Sequence, residues 1–318
     1  MRLAVIGAGS WGTTVAALGV RNAEHVSLWA RRPELAERIA ATGENSDYLP
    51  GRPLGAVGAT GRLDEALEGA DVVALAVPSH GFRAVLSEAA PFVPPDAVLL
   101  SLAKGLEQGS LKRMTEVAAE LLPGHAGGRI GVLTGPNIAT EVAAGLPTAS
   151  VVAVEDPAAA AAAQRLFMTD TFRVYTNPDV VGCEIAGVVK NVVALAAGIA
   201  QGLGVGDNAR AALITRGLAE LTRFGLALGG NPLSFLGLAG IGDIVVTCTS
   251  PRSRNRSVGE ALGRGRPLAD VLAEMTMVAE GVRSTAAVLD GARTPAAAVS
   301  SLMLREAKSE LEGIRIVG

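Results

Sequence analysis

The sequence predicts an α/β protein in two parts, with a doubly wound sheet in the N-terminal half and an all-helical C-terminal part. Three observations support this fold class. Short apolar runs that suit buried parallel strands alternate with helical patterns as far as Tyr175. A glycine-rich turn joins the first strand to the first helix. Strand patterns nearly vanish beyond the turn Asn177-Pro178-Asp179, so we expect domains of residues 1–178 and 179–318.

Composition excludes several classes of protein. The chain has 318 residues, 49% hydrophobic but only 3% aromatic, so Ala, Val, Leu and Ile must build its cores. A formal charge of −3 argues against a nucleic-acid-binding surface. Cys183 and Cys248 have no metal-binding or redox spacing and are expected to be core thiols in a reducing compartment. No secretory signal follows Met1, and Pro232 interrupts the uncharged run from Phe224 to Gly242. We therefore expect a cytoplasmic protein without a membrane-spanning segment or a metal site.

The first strand, Arg2 to Ile6, leads into the motif Gly7-Ala-Gly9-Ser-Trp-Gly12 and then a helix. In this context G-x-G-x-x-G predicts a dinucleotide-binding domain of the Rossmann type. Gly7 permits the tight turn, Gly9 leaves room for a pyrophosphate, and Gly12 lets the helix pack close to the strand. The helix N-terminus then offers N–H groups to the phosphates.

The second strand, residues 25–30, ends in Arg31-Arg32, with no acidic residue before Glu34. A site that prefers NAD usually has Asp or Glu at this point for the ribose 2′-hydroxyl, whereas arginine accommodates a 2′-phosphate. The pattern favours NADP(H), with NAD(H) still possible. The alternative is a solvated surface pair.

Further strands are predicted at residues 70–77, 96–102 and 129–133. Two more are predicted at residues 149–154 and 171–175, around an alanine-rich helix.

Polar residues follow the ends of these strands. In an open parallel sheet, ligands bind beyond the carboxyl ends of the strands, and Lys104, Gly135 and Asn137 fall at such ends. His80 is similarly placed and could be an acid–base group, although a capping or cofactor-lining role is as consistent with its position.

Lys190 lies in a helical stretch, Cys183 to Gly198, whose other residues are almost all small and apolar. Burying an ammonium group costs several kcal/mol unless it is paired or becomes neutral. Only 4 of the 28 basic residues are lysines, and lysine can lose its proton where arginine cannot. A snorkelling or salt-bridged lysine is the alternative. Asp243, a lone acid in the apolar run Leu238 to Cys248, is a candidate partner.

The stretch from Ser250 to Ser257 contains three arginines and three serines beside a predicted helix start. Hydroxyl, guanidinium and helix N–H groups together suit a phosphate. An exposed basic loop is the alternative.

These motifs resemble those of the bacterial-type NAD(P)-dependent glycerol-3-phosphate dehydrogenases. The similarity runs in order over most of the chain and implies reversible reduction of dihydroxyacetone phosphate to sn-glycerol 3-phosphate for phospholipid synthesis. The matching segments are Gly7-Ala-Gly-Ser-Trp-Gly-Thr13, Val77-Pro-Ser-His80, Ala103-Lys-Gly-Leu-Glu107, Thr134-Gly-Pro-Asn137, Gly187-Val-Val-Lys-Asn191, Asn208 to Glu220, Gly240-Ile-Gly-Asp243, Thr247-Cys-Thr249, Ser253-Arg-Asn-Arg256 and Val278-Ala-Glu-Gly281.

The resemblance also implies roles for individual residues. Lys190 is implied as proton donor to the ketone and as proton acceptor in the reverse direction. Substrate contacts are implied for Lys104, Gly135, Asn137, Asn191, Asp243, Thr247, Ser253, Arg254 and Asn255, with substrate phosphate on Arg254 and Asn255. Cofactor contacts are implied for Gly7, Gly9, Ser10, Trp11, Gly12, Arg31, Arg32, Lys104, Ala139, Arg254, Val278 and Glu280. The family usually has Ser or Thr where Asn137 stands, and the similarity fades beyond Gly291.

Two other functions fit the same residues. One is a related two-domain dehydrogenase acting on another hydroxy acid, and the other is a non-catalytic NADP-binding sensor. In each case the expected partner is a small molecule, with neither nucleic acid nor membrane involved, and a homodimer is possible.

Overall fold

The protein, described by a computed structural model at residues 1–275 and Gly281, divides into two compact units. The first comprises Met1–Glu107 and Lys112–Val180, and the second comprises Gln108–Leu111 and Val181–Gly318. The first unit contains eight strands. They are β1 (Arg2–Ile6), β2 (His25–Trp29), β3 (Val57–Thr60), β4 (Val72–Leu75), β5 (Val98–Ser101), β6 (Ile130–Thr134), β7 (Thr148–Ala153) and β8 (Phe172–Asn177).

The strands form one sheet in the order β3-β2-β1-β4-β5-β6-β7-β8. The order reverses between β1 and β4, which confirms the predicted doubly wound fold and sets the ligand-binding point at the carboxyl ends of these two strands. The apolar runs predict parallel strands, but one pair of strands in the sheet is antiparallel. Strand β7 runs antiparallel to β6, with Val132 opposite Ala153, and β8 is parallel to β7.

Seven helices flank the sheet, and their apolar residues complete a core on each face. One core gathers Val5, Leu28 and Val152, and the other gathers Ile6, Leu75 and Phe82. Val5 and Ile6 are neighbours on β1 but belong to different cores, because successive side chains of a strand point to opposite faces of the sheet. The helices are α1 (Ser10–Gly19), α2 (Pro33–Thr42), α3 (Leu63–Leu67), α4 (Ser79–Ala89), α5 (Met114–Leu121), α6 (Ala139–Ala143) and α7 (Pro157–Phe167), with a 3₁₀ turn at Ala90–Phe92.

From Val181 onward, the regular elements of the second unit that the structure describes are all helical, as predicted. Pro232 opens a one-turn helix, and a π-helical turn at Leu238–Gly242 then leads into another helix. The helices are α8 (Val180–Gly202), α9 (Gly206–Ala227), α10 (Pro232–Phe235), α11 (Asp243–Thr249), α12 (Arg254–Gly263) and α13 (Leu268–Ala273).

Two stretches are long and apolar enough to cross a membrane by length and composition alone. One is Val180–Gly202, 78% buried inside the protein, and the other is Pro232–Thr249. The buried one has the character of a core helix. The other is not one continuous helix, because α10 ends at Phe235 and Gly237 is extended.

Helices α8 and α12 pack with their backbones nearly touching. A β-carbon at Gly198 would overlap the carbonyl oxygen of Arg256, and one at Gly259 would overlap that of Leu195. Gly202 and Gly263 make equally close approaches. Four glycines therefore let the two helices approach more closely than side chains allow, which fixes the position of Lys190 on α8 relative to α12.

Candidate functional site

The glycine-rich turn lies at the point where the strand order reverses. Gly7 has φ +120°, and a β-carbon there would lie 2.8 Å from the carbonyl oxygen of Ala76, just past β4. A β-carbon at Gly12 would overlap the Gly7 carbonyl, so the helix and the turn are in direct contact. Gly9 differs because a β-carbon there meets nothing within 4 Å.

This open space at Gly9 fits a pyrophosphate. Gly9 is the N-cap of α1 and no side chain caps that helix, so the N–H groups of its first turn are not occupied by a capping side chain. Ser10 and Trp11 begin the helix, and the Trp11 ring lies 6.4 Å from that of Phe172. The residues present therefore suit a dinucleotide, as the sequence motif predicts.

The loop after α2 closes over this turn, and the sequence reading missed it. Buried Asn45 donates from Nδ2 to the carbonyl oxygen of Ala8 at 2.9 Å and to the hydroxyl of Thr13 at 2.8 Å. The hydroxyl of Ser10 donates to the carbonyl oxygen of Tyr48 at 2.8 Å. The sequence offers little sign of this contact. Asn45 is an uncharged amide in a loop without hydrophobic periodicity, and its partners lie over thirty residues away.

Arg32, predicted to bind a 2′-phosphate, is engaged by this same loop. Its Nη2 donates to Oδ2 of Asp47 at 2.6 Å, and its guanidinium carbon lies 6.0 Å from the centre of the Tyr48 ring. The hydrogen bond from Arg32 holds the pKa of Asp47 below its usual value, with further help from Arg38. Arg31 is exposed beside it.

The remaining predicted residues of the first unit lie beyond β5 and β6. Lys104 donates from Nζ to the carbonyl oxygen of Gly135 at 3.2 Å, so the two residues expected to act together are in contact. Asn137 donates from Nδ2 to the hydroxyl of Ser150 at 2.9 Å, while its Oδ1 is buried without a protein partner in the described part of the chain. Ala139 begins α6, and His80 is exposed in the first turn of α4.

Lys190 is buried and paired in the second unit. It is 6% exposed, and Asp243 is 1% exposed. Lys190 Nζ donates to Asp243 Oδ1 at 2.5 Å and to the hydroxyl oxygen of Thr247 at 2.9 Å. The Thr247 hydroxyl lies 2.6 Å from the backbone carbonyl of Asp243, an acceptor for its proton, which leaves lone pairs facing the lysine. The pairing expected from the sequence is confirmed.

A π-helical turn places Asp243 opposite the lysine. A β-carbon at Gly240, within that turn, would overlap the backbone of Phe235. Asp243 is the first residue of α11, and the partial positive charge at a helix N-terminus also favours a carboxylate there. Single π turns are frequent at functional sites. The turn was missed because the run reads as featureless apolar sequence.

Asn191, next to Lys190, is held by a second polar chain. Asn255 on α12 donates from Nδ2 to Asn191 Oδ1 at 2.8 Å, and its own Oδ1 accepts from the backbone N–H of Gly281 at 2.9 Å. Asn191 is 3% exposed and Asn255 8%. The amide of Asn255 is therefore oriented by two partners inside the protein.

The predicted arginine cluster separates into different environments. Arg256 is buried, and it donates to the carbonyl of Ser250 and the side chains of Gln201 and Glu260, which is a structural role. Arg254 is exposed at the start of α12, and the Ser253 hydroxyl caps that helix by accepting from the N–H of Arg256 at 3.3 Å. Val278 and Glu280 lie outside the described residues.

Chemically, the second unit offers a buried ammonium–carboxylate pair in a nearly dry setting. The thiol of Cys248, adjacent to Thr247, has a pKa raised to about 12 because burial disfavours the thiolate. It is therefore neutral, and Lys190 and Asp243 are the charges that act there. No group of three or more His, Cys, Asp or Glu side chains in the described ranges could hold a metal ion.

Comparison with known proteins identifies the family. The sequence model described as NAD-dependent glycerol-3-phosphate dehydrogenase N-terminus matches residues 2–160, and that of the C-terminus matches residues 179–305. A relative from Sphingopyxis alaskensis, glycerol-3-phosphate dehydrogenase NAD(P)+ 2, is 53% identical over 91% of this chain and 86% of its own length. One from Geobacter sulfurreducens, glycerol-3-phosphate dehydrogenase NAD(P)+, is 55% identical over 89% and 85%.

A solved structure agrees with these sequence matches. The crystal structure of glycerol-3-phosphate dehydrogenase from Coxiella burnetii has a TM-score of 0.87 and 35% identity, with 99% of each chain covered. The family matches together span both units of the chain. The chain therefore belongs to the NAD-dependent glycerol-3-phosphate dehydrogenase family.

Proposed function

We propose that this chain is an NAD(P)H-dependent dehydrogenase that reduces dihydroxyacetone phosphate to sn-glycerol 3-phosphate, reversibly, and so feeds phospholipid synthesis. The observation that carries the proposal is the buried Lys190–Asp243 pair, with Thr247 as its third member. It is supported by the two bacterial relatives named glycerol-3-phosphate dehydrogenase NAD(P)+. Neither alternative function, another hydroxy acid or a sensor, has a comparable observation in its favour.

The cofactor would be held by the glycine-rich turn, with the pyrophosphate at Gly9 and the N-terminus of α1. Arg31 and Arg32 would meet the adenosine end, where arginine favours NADP(H) and does not exclude NAD(H). When bound, the nicotinamide supplies the hydride. The protein's own contribution is to bind, to exclude water and to move a proton.

Lys190 would supply that proton. A donor to the ketone oxygen must carry a proton at Nζ, and the Asp243 carboxylate 2.5 Å away stabilises the ammonium form despite its burial. Thr247 fixes the lysine side chain from a second direction. In the reverse direction the same Nζ accepts the proton from the alcohol. A group of this kind contributes roughly 10²–10⁴-fold to the rate.

Substrate phosphate would be bound at the start of α12. Arg254 is exposed there, and a guanidinium beside helix N–H groups suits a phosphate dianion. The internal pairing of Asn255 favours a role in orienting Asn191 near the reacting atoms, with any phosphate contact secondary.

The proposal is tested by following NADPH consumption at 340 nm with purified protein and dihydroxyacetone phosphate. We expect turnover with this ketone and little with unphosphorylated dihydroxyacetone. Comparable rates with both ketones would show that the protein does not recognise the phosphate, which would contradict the proposed substrate and the phosphate site at Arg254. No turnover with either ketone would contradict the proposal itself.

We further propose a soluble, cytoplasmic homodimer. Leu226, Leu228, Leu233 and Leu236 are large apolar side chains that are 45–72% exposed around α9 and α10, and such patches mark interaction surfaces. Light scattering coupled to gel filtration should give twice the mass of one chain. Leu233→Glu should shift the mass toward that of a monomer.

A further inference from the structure

We propose that Asp47 balances the use of NAD(H) and NADP(H), because it supplies the carboxylate that the end of β2 lacks. The inference rests on the proposed function, from which it takes the cofactor. Strand β2 ends in Arg31 and Arg32, and the usual acidic residue for a ribose 2′-hydroxyl is not there in the sequence. The fold returns an acidic residue to this point fifteen residues later.

The position of Asp47 is fixed by its neighbours in the chain. Asn45, two residues before it, binds the carbonyl of Ala8 and the hydroxyl of Thr13. Tyr48, the residue after it, accepts the hydroxyl of Ser10 through its carbonyl. Asp47 is thus held between two attachments to the glycine-rich turn, at the side where Arg32 leaves β2.

Asp47 is an ionised carboxylate shared by two arginines. Its Oδ2 accepts from Arg32 at 2.6 Å, and both of its oxygens accept from Arg38 at 2.9 Å. The Asp47 side chain keeps 32% of its surface exposed and that of Arg32 keeps 46%, so each can also meet a ligand. Exposure weakens the mutual attraction of the pair, which leaves Arg32 able to exchange partners.

One carboxylate here acts on the two cofactors in opposite directions. The 2′-hydroxyl of NAD(H) can donate a hydrogen bond to Asp47, as it does to the acidic residue of NAD-specific sites. The 2′-phosphate of NADP(H) carries up to two negative charges, and it must share Arg32 with Asp47 while being repelled by it. Asp47 therefore favours NAD(H) and opposes NADP(H), whereas Arg31 and Arg32 do the reverse.

The test compares cofactor binding in the full chain and in Asp47→Asn, which keeps the shape and removes the charge. Dissociation constants for NADPH and NADH are measured by isothermal titration calorimetry without substrate, and kcat/KM is then measured for both. We expect tighter NADPH binding and weaker NADH binding, so that the ratio of the two constants shifts roughly tenfold toward NADPH, the size of one charged hydrogen bond. Arg32→Ser should shift the same ratio toward NADH.

Glu34→Gln is the matched control. It removes one negative charge from the exposed first turn of α2, two residues after Arg32, at a residue that forms no ion pair with Arg32 in the described structure. We expect it to change the ratio less than twofold, because long-range attraction between exposed charges is screened by salt.

An unchanged ratio in Asp47→Asn, or a change equal to that in Glu34→Gln, would overturn the inference and leave the proposed function standing. Weaker binding of NADPH in Asp47→Asn would also overturn it, since Asp47 would then be orienting Arg32 for the phosphate. Failure of the unchanged protein to bind either cofactor would overturn the inference and the proposed function together.

Discussion

Replacing Asp243 with Asn should destabilise the helical unit because it leaves Lys190 buried without its counter-charge. The carboxylate accepts from Lys190 at 2.5 Å, and the two side chains are 1% and 7% exposed, so water cannot take its place without rearrangement. The lysine must then either stay charged in a poor solvent or give up its proton, and both cost free energy. Removing one partner of a buried pair typically costs about 3–5 kcal/mol.

The measurement is urea unfolding followed by far-UV circular dichroism. With an m value of about 3 kcal/mol/M for a unit of this size, the midpoint of the helical transition should fall by about 1–2 M. The double variant Lys190→Met, Asp243→Leu is the control. It removes both charges and keeps apolar volume, so its stability should return to near that of the unchanged protein.

The pH dependence of the reaction rate provides a second test of the Asp243→Asn variant. The proposed reduction of the ketone needs Lys190 protonated, and without Asp243 the ammonium form is less favoured, so we expect the alkaline fall in rate to begin at lower pH. Stability of Asp243→Asn within about 1 kcal/mol of the unchanged protein would refute the reasoning. It would mean that Lys190, left without Asp243, stays charged or gives up its proton inside the protein at little cost in free energy.

Four further variants and one chemical probe test the rest. Lys190→Ala should lose roughly 10²–10⁴-fold in kcat while its calorimetric affinity for NADPH stays unchanged; near-normal turnover would contradict the proton-donor role. Arg254→Ala should raise KM for dihydroxyacetone phosphate with no loss of stability, whereas Arg256→Ala, which removes a buried three-partner arginine, should lower the melting temperature. Gly198→Ala should lower the melting temperature further, because the added carbon overlaps the backbone of α12; an unchanged value would show that the helices can separate. Cys248, whose pKa is raised to about 12, should resist iodoacetamide at pH 8 until the protein unfolds, and rapid labelling would contradict its burial.

The sequence was sufficient where one residue type conflicts with its surroundings. Lys190 and Asp243 are both charged residues in apolar runs, and burial leaves such charges little choice of partner. The glycine-rich turn was equally readable, since its motif has meaning only between a strand and a helix. The doubly wound order followed from the alternation of strands and helices.

Other features depend on contacts that periodicity does not carry. The apolar run of β7 reads the same in either direction, so its antiparallel pairing with β6 could not be foreseen. Strand β3 at Val57–Thr60 contains a glycine and has no buried residue, which removes the hydrophobic signal. By contrast, the structural role of Arg256 could have been predicted, because Glu260 lies four residues later on the same face of the helix.

The glycine contacts between α8 and α12 have a consequence for how this enzyme can change. Where two backbones touch, their spacing is set by van der Waals radii, and no exchange of one side chain for another adjusts it gradually. Any residue larger than glycine at Gly198 or Gly259 must force the helices apart and carry Lys190 away from Asn255. Substitutions that alter the substrate range, whether in nature or by laboratory selection, should therefore accumulate at exposed positions such as Arg254 and leave the glycine contacts between the two helices unchanged.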